Sequence, residues 1–179
     1  MNPSRKGFSY EREISKKLSL WITEGGRDDV LWRTEGSGGR FTNQKGKVLN
    51  NSVGDIGVKD PSCKQAVKLI DNVVIECKKG YSKDIDVLDL LDRKKGVPIL
   101  QKWLDKLKKE AILTHRRWCW IILRRNNRHD VIFTYCKEAP NVKIELDPNI
   151  TIEIDLFKYL RIFRLDVFLQ NTKWKDFIK

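Results

Sequence analysis

The chain has 179 residues, 40% of them hydrophobic and 34% charged, which is typical of one globular domain with a real core. Its 36 lysines and arginines outnumber its 24 aspartates and glutamates, which gives a net charge of +12. This excess favours a polyanionic partner through counterion release, although a surface that is merely lysine-rich and solvated would show it too. The basic residues cluster, as in Lys78-Lys79 and Arg124-Arg125, and clustering favours nucleic acid. No apolar run is long enough to span a bilayer, so no membrane partner is predicted.

The N-terminus and the cysteines together indicate a reducing compartment. Met1 to Gly7 is basic but lacks the apolar stretch of a secretory signal peptide, which favours a cytoplasmic protein; a virus-encoded one would fit equally. The four cysteines have neither CxxC spacing nor a neighbouring histidine, so the sequence predicts no zinc site and no disulfide framework. Three of them lie in apolar runs, where a free thiol behaves as a small hydrophobe: Cys77, Cys119 and Cys136.

The first half of the chain predicts one helix and three strands. Apolar residues recur at helical spacing from Tyr10 to Thr23, with Ser9 as a plausible N-cap and Gly25-Gly26 ending the helix. Residues 35–52 form a glycine-rich and polar stretch that is typical of a loop. Apolar runs bounded by turn residues predict three strands, Val30–Arg33, Val53–Lys59 and Val67–Lys78.

The second half adds helices and strands. After a charged stretch at 84–95, Val97 to Thr114 is a strongly amphipathic helix, with Ile112 on its core face and Lys102, Lys106 and Lys109 on the other. A strand pair, a short strand and a helix are predicted next, at Trp118–Arg124 with Val131–Cys136, Thr151–Asp155 and Leu156–Leu169. This order predicts one α/β domain over residues 1–179, a mixed central β-sheet flanked by α-helices, with 156–179 as a C-terminal helical extension.

The candidate functional residues lie at the ends of two apolar runs. Asp55 opens the run Gly54–Val58, and Glu76 and Lys78 close the run Val73–Lys79. Because side chains alternate along a strand, Glu76 and Lys78 share one face. If the two strands pair, the three side chains converge on one sheet edge. Two carboxylates beside an ammonium suit a hard cation with a group that orients or deprotonates water. Alone, an acid-x-lysine pair would favour a cross-strand salt bridge over a metal site.

Four motifs follow one another along the chain, Lys6–Glu13, Arg33–Gly39, Gly54–Ile56 and Ile75–Lys78. In this order they resemble the motifs of the PD-(D/E)xK nuclease superfamily, and within it those of the archaeal-type Holliday-junction resolvases. The first looks like that family's opening helix with its glutamate before an arginine, and the second like its arginine-to-glycine-serine loop. The third and fourth look like its catalytic aspartate and its isoleucine-glutamate-x-lysine. The resemblance extends roughly from Arg5 to Tyr81 and implies a restriction-endonuclease-like core.

The resemblance implies a metal-dependent DNA endonuclease that uses Mg²⁺, with Mn²⁺ able to substitute, and no small-molecule cofactor. It implies that Lys78 positions or deprotonates the attacking water and that Ser37 approaches the scissile phosphate. The metal ligands that the resemblance implies are Glu11, Asp55, Glu76 and the carbonyl of Cys77. Glu13 is the alternative to Glu11 on the same predicted helix, but the register of the motif favours Glu11. The candidate contacts to DNA are Arg33, Arg40, Lys79 and Lys102.

The motifs indicate metal-dependent cleavage more clearly than they indicate which DNA structure is cut. Gly54 stands where the superfamily has the proline of its name, and residues 39–53 and 60–72 look like insertions beside the substrate face. The leading expectation is a four-way junction cut by a homodimer, because two opposed strands need two sites related by a two-fold axis. A restriction- or repair-type nuclease and a non-catalytic nucleic-acid-binding module with this fold are the alternatives.

Overall fold

The computed structural model describes residues 3–34, 53–80, 98–136, 152–154 and 160–178. Its helices are α1 (Pro3–Ile22), α2 (Lys64–Asn72), α3 (Pro98–Leu113) and α4 (Leu165–Asn171), followed by a 3-10 turn at Trp174–Phe177. Its strands are β1 (Leu31–Arg33), β2 (Ile56–Val58), β3 (Val73–Lys79), β4 (Trp118–Arg124), β5 (Asp130–Cys136), β6 (Ile152–Ile154) and β7 (Leu160–Arg164).

The strands form a mixed sheet and a small antiparallel one. The five-stranded sheet has the order β3-β4-β5-β7-β6, in which β3 and β4 are parallel and the other neighbours antiparallel. Strands β1 and β2 pair beside it, where the Asp55 amide donates to the Ile75 carbonyl at 2.7 Å. The chain from β3 to β4 passes through α3, as a parallel connection requires. The predicted α/β fold with a mixed sheet flanked by helices is confirmed.

Two apolar clusters cover the two faces of the sheet. On one face α1, α2 and α4 pack against inward side chains that include Ile75 and Trp120. On the other face α3 packs against side chains that include Val74 and Ile121. Trp120 lies at the centre of an aromatic group, with ring centroids 5.4 Å from Phe168 and 5.0 Å from Phe177. Edge-on aromatic pairs of this kind each contribute about 1 kcal/mol beyond their buried area, so the C-terminal segment is firmly anchored.

Two predicted elements are wrong in part. The strand predicted over Val67–Lys78 is helix α2 up to Asn72, because Ala66, Leu69 and Ile70 are buried at helical spacing. The helix predicted over Leu156–Leu169 contains strand β7, in which Leu160 and Ile162 face one apolar cluster and Phe163 the other. That alternation between faces is the period of a strand.

Smaller differences concern helix ends and one side chain. Helix α1 begins before Ser9, so Ser9 lies inside the helix rather than at its N-cap. Ile112, predicted to face the core, is 59% exposed. The three cysteines in apolar runs, Cys77, Cys119 and Cys136, are free and buried in the core as predicted. The charged stretch at 84–95 lies outside the described residues.

One glycine fixes how the chain enters β2. Gly54 has φ +75°, and a Cβ built on it would lie 2.6 Å from the Ile75 carbonyl oxygen. Both the left-handed conformation and the close approach to β3 therefore require glycine. Thr34 fastens the same turn, since its hydroxyl donates to the Gly54 carbonyl at 2.7 Å and its amide to the Asp55 carbonyl at 2.9 Å.

Gly54→Ala should destabilise the protein far more than Gly25→Ala, by roughly 3 kcal/mol or more against about 1 kcal/mol. Gly25 is the matched control, because its φ is +86° but a Cβ there would meet no atom within 4 Å. Urea denaturation of both variants measures the difference. Equal losses would show that the approach of Gly54 to Ile75 is unimportant.

Candidate active site

Asp55 is held against β3 through both its backbone and its side chain. Its carboxylate is 4% exposed, and Oδ2 accepts a hydrogen bond from the Cys77 amide at 2.8 Å. Burial, followed by the negative charge of Glu76, raises the pKa of Asp55 to about 7, while Lys78 and the Cys77 amide act against this rise. Negative charge on Asp55 is therefore energetically costly when no cation is bound beside it.

Glu76 lies beside Asp55 and is 3% exposed. The Lys78 ammonium donates to its Oε1, and the Lys106 ammonium donates to both carboxylate oxygens, at 3.1 Å and 3.0 Å. Lys78 also lies 5.8 Å from the centroid of the Trp103 ring. Burial acts to lower the pKa of Lys78, but the charges of Glu76 and Asp55 outweigh it, and the net direction is upward. The structure thus brings Asp55, Glu76 and Lys78 together at one edge of the sheet.

Glu11 approaches the same place from α1. The Arg33 Nε–H donates to its Oε2 at 3.0 Å, and the Arg33 guanidinium lies 4.1 Å from the centroid of the Phe8 ring. The charge of Glu11 also contributes to the raised pKa of Asp55, which places Glu11 near this carboxylate. Glu13, the rival on the same helix, pairs instead with Arg124 and Lys17. The surroundings of Glu11 therefore suit a role at the site better than those of Glu13.

The remaining predicted residues lie in different surroundings. Lys79 has its ammonium 5.8 Å from the centroid of the Tyr10 ring, and Lys102 is exposed on α3. The Cys77 thiol lies in the core, where burial raises its pKa well above the usual value, so only its carbonyl suits a metal. The two predicted loop residues, Ser37 and Arg40, lie outside the described part of the chain.

Two residues of α3 belong to the site although the sequence did not indicate them. Lys106 was expected on the outer face of the helix, but its ammonium reaches Glu76, and its Nζ also lies 3.7 Å from Glu110 Oε1. Glu110 is 5% exposed, and its Oε2 accepts no hydrogen bond from the described residues. Burial raises the pKa of Glu110, with Lys106 and the backbone amide of Gly54 acting against the rise. The i, i+4 spacing of these two residues was the only available signal.

The donor atoms suit a hard divalent cation. In the described ranges no three His, Cys, Asp or Glu side chains form a ready metal cage. Asp55 and Glu76 nevertheless offer adjacent carboxylates, and the like charge that raises the pKa of Asp55 would be relieved by a cation. Mg²⁺ prefers oxygen ligands and keeps several waters, so two carboxylates and a carbonyl are a sufficient set.

Comparison with protein families identifies a family that covers nearly the whole chain. A family model described as "Phage putative PDDEXK endonuclease" matches residues 2–179. Neither the curated proteins nor the solved structures contain a match to the chain. Among the helices that the structure describes, none is long and apolar enough to cross a membrane.

Asp55→Asn should stabilise the metal-free protein at pH 8, on the order of 1–3 kcal/mol, and have little effect at pH 4. The folded pKa of Asp55 lies above its unfolded value, so the stability that the protonated group retains is lost as pH rises from about 4 through 7. Asparagine removes that loss. Thermal unfolding in EDTA at several pH values measures the effect.

The matched control is Asp60→Asn. The hydroxyl of Ser62 and the guanidinium of Arg27 lower the pKa of Asp60 to about 2, so this substitution should destabilise the protein at pH 8. A loss of stability in Asp55→Asn at pH 8 would contradict the charge strain inferred for the site.

Proposed function

Because the chain belongs to this phage PDDEXK endonuclease family, it is a PD-(D/E)xK nuclease, and we propose that it cuts branched DNA with Mg²⁺ as its cofactor. Family membership also accounts for the α/β restriction-endonuclease-like core. The single observation that carries the proposed cleavage chemistry is the convergence of Asp55, Glu76 and Lys78 at the edge of β3. An acid pair beside a lysine is the arrangement that metal-dependent phosphodiester cleavage needs.

Asp55, Glu76 and the Cys77 carbonyl would hold the Mg²⁺, for which Mn²⁺ would substitute, with Glu11 acting through water. When bound, the ion supplies Lewis-acid stabilisation of the charge that develops on the phosphate. The near-complete burial of Asp55 and Glu76 lowers the local dielectric, which strengthens each interaction made there.

Lys78 contributes a positive charge that is fixed in place. Its ammonium is held by Glu76 and lies over the Trp103 ring, so it is oriented before DNA arrives. We assign it to orienting the attacking water and stabilising developing negative charge, which is most effective when the donor needs no reorganisation. The assignment of Ser37 to the scissile phosphate stays a prediction.

A row of cations leads away from the site along the ends of β3 and β4. This basic edge consists of Lys79, Arg124, Arg125 and Arg128. Lys79 and Arg124 are register partners at the ends of the two parallel strands, and the Tyr10 ring centroid lies 5.8 Å and 5.0 Å from their charged groups. Arg124 is bound by Glu13 and Asp130, which fixes it in place.

The basic edge suits the phosphate backbone next to the cut. Among the described residues, the acids Glu13 and Asp130 pair with Arg124 and Lys17 rather than with Arg125 or Arg128. The charges of Arg125 and Arg128 are therefore available for phosphate. Contacts of this kind read the shape and charge of DNA rather than its sequence. We propose a four-way junction as substrate and a homodimer as the active form, on the strength of the four resolvase-like motifs. We also propose that the protein acts in the cytoplasm, which is the location expected from the sequence.

Asp55→Asn should lower Mg²⁺-dependent cleavage of a synthetic four-way junction by roughly a hundredfold or more, because a ligand needed only for chemistry is lost. Junction binding in EDTA, followed by gel shift, should change little. A linear duplex of the same sequence and a reaction with EDTA are the controls.

Three outcomes would each contradict a different part of the proposal. If the wild type cuts neither substrate with Mg²⁺ or Mn²⁺, it is not a nuclease of the proposed kind. If it cuts the linear duplex as fast as the junction, the preference for branched DNA is wrong. If Asp55→Asn loses binding as strongly as cleavage, Asp55 is structural.

The double variant Arg125→Ala/Arg128→Ala should bind DNA more weakly, and its plot of log K against log salt should be shallower by roughly two units. The control Lys64→Ala/Lys68→Ala removes the same charge from exposed positions of α2. Fluorescence anisotropy at several salt concentrations compares the two. Equal effects would mean that net charge alone, rather than the basic edge, drives binding.

A further inference from the structure

The oxygens of Glu76 are already occupied by the protein's own cations. Both accept hydrogen bonds from the Lys106 ammonium, and Oε1 also accepts one from Lys78. Because the carboxylate is 3% exposed, bulk water cannot readily take the place of these donors. Any divalent cation that binds Glu76 must therefore compete with an ammonium.

Of the two lysines, Lys106 is the one that can leave. The Lys78 side chain is 18% exposed and lies against Trp103, whereas the Lys106 side chain is 43% exposed. Lys106 also comes from α3, on a flexible four-carbon stem, whereas Lys78 is on the same strand as Glu76 and only two residues away. Displacing Lys106 therefore leaves the backbone that carries Glu76 undisturbed.

A second partner for Lys106 lies one helical turn further along α3. Glu110 Oε1 is 3.7 Å from the Lys106 Nζ, and the buried Oε2 accepts no hydrogen bond from the described residues. A buried carboxylate oxygen without a donor is destabilising. The Gly54 amide is another donor to this carboxylate, but within the described part of the chain Oε2 still lacks a hydrogen bond. An ammonium released from Glu76 would thus have the Glu110 carboxylate as its next acceptor.

We propose that Lys106 is an exchangeable counter-ion of the metal site, which binds Glu76 in the metal-free protein and moves to Glu110 when a divalent cation binds. The exchange keeps a cation beside each buried carboxylate in both states. It makes Lys106 a positioning residue that sets the affinity for the metal. This inference rests on the proposed metal site at Asp55 and Glu76.

The test is calorimetric titration of Mn²⁺ into the full chain without DNA. Lys106→Met keeps the aliphatic stem and removes the competitor, so it should tighten Mn²⁺ binding by about tenfold. Glu110→Gln removes the second partner and should weaken binding. Lys109→Met, an exposed lysine on the same helix, removes the same charge and should change affinity by less than about threefold.

A further variant keeps the test decisive if Lys106→Met does not fold. Lys106→Arg retains the charge and can bind Glu76 through two parallel donors, so it should weaken Mn²⁺ binding. The melting temperature in EDTA gives an independent readout, because Lys106→Met should melt lower than wild type without metal and recover more on addition of Mn²⁺.

Failure of the exchange and failure of the metal site give different results. If the wild type binds no Mn²⁺, or Asp55→Asn binds it equally well, the proposed metal site is wrong. If the wild type binds Mn²⁺ through Asp55 but Lys106→Met behaves like Lys109→Met, the site stands and the exchange is wrong. An unchanged affinity in Lys106→Arg would equally overturn the exchange.

Discussion

Two carboxylates buried side by side are the constraint on which the rest of the site depends. Asp55 and Glu76 are almost inaccessible to water, so their charges repel each other with little screening. The protein meets this repulsion in two ways. At Asp55 the pKa rises towards neutrality, while at Glu76 two ammonium groups supply the compensating charge. The metal-free site is thus arranged around charge that only cations can balance.

The sheet brings this charge to a place that both helical layers can reach. Helix α1 packs on one face and contributes Glu11, which Arg33 holds, while α3 packs on the other and contributes Lys106 and Glu110. The parallel pair β3–β4 then places the ends of both strands together, so that the basic edge begins beside the acid pair. The proposed cleavage site and the proposed DNA contact are neighbours because one sheet edge carries the residues of both.

The alternation of side chains along β3 made Glu76 and Lys78 predictable as a pair, and the amphipathic period of α3 identified that helix. The sequence could not separate α2 from β3, since the apolar residues of 67–75 satisfy a helix and a strand equally until tertiary packing decides. Strand β7 was missed because it is short and has apolar side chains on both faces, Leu160 and Ile162 on one and Phe163 on the other, a pattern that fits a helix as well. Lys106 and Glu110 were missed because an i, i+4 pair is equally typical of an exposed helix face. The contact of Lys106 with Glu76 joins two elements that are distant in sequence, so it leaves no local pattern.

The chain has Gly54 at the position where the superfamily has the proline of its name, and the conformation of the turn explains the difference. Proline is locked near φ −65°, whereas Gly54 has φ +75°, so the two residues cannot exchange without rebuilding the turn. A single substitution towards the superfamily signature would therefore be incompatible with this backbone. Any other side chain at this position would meet the Ile75 carbonyl. The position therefore tolerates no gradual change, because every single replacement of Gly54 would disturb the residue that follows it, Asp55.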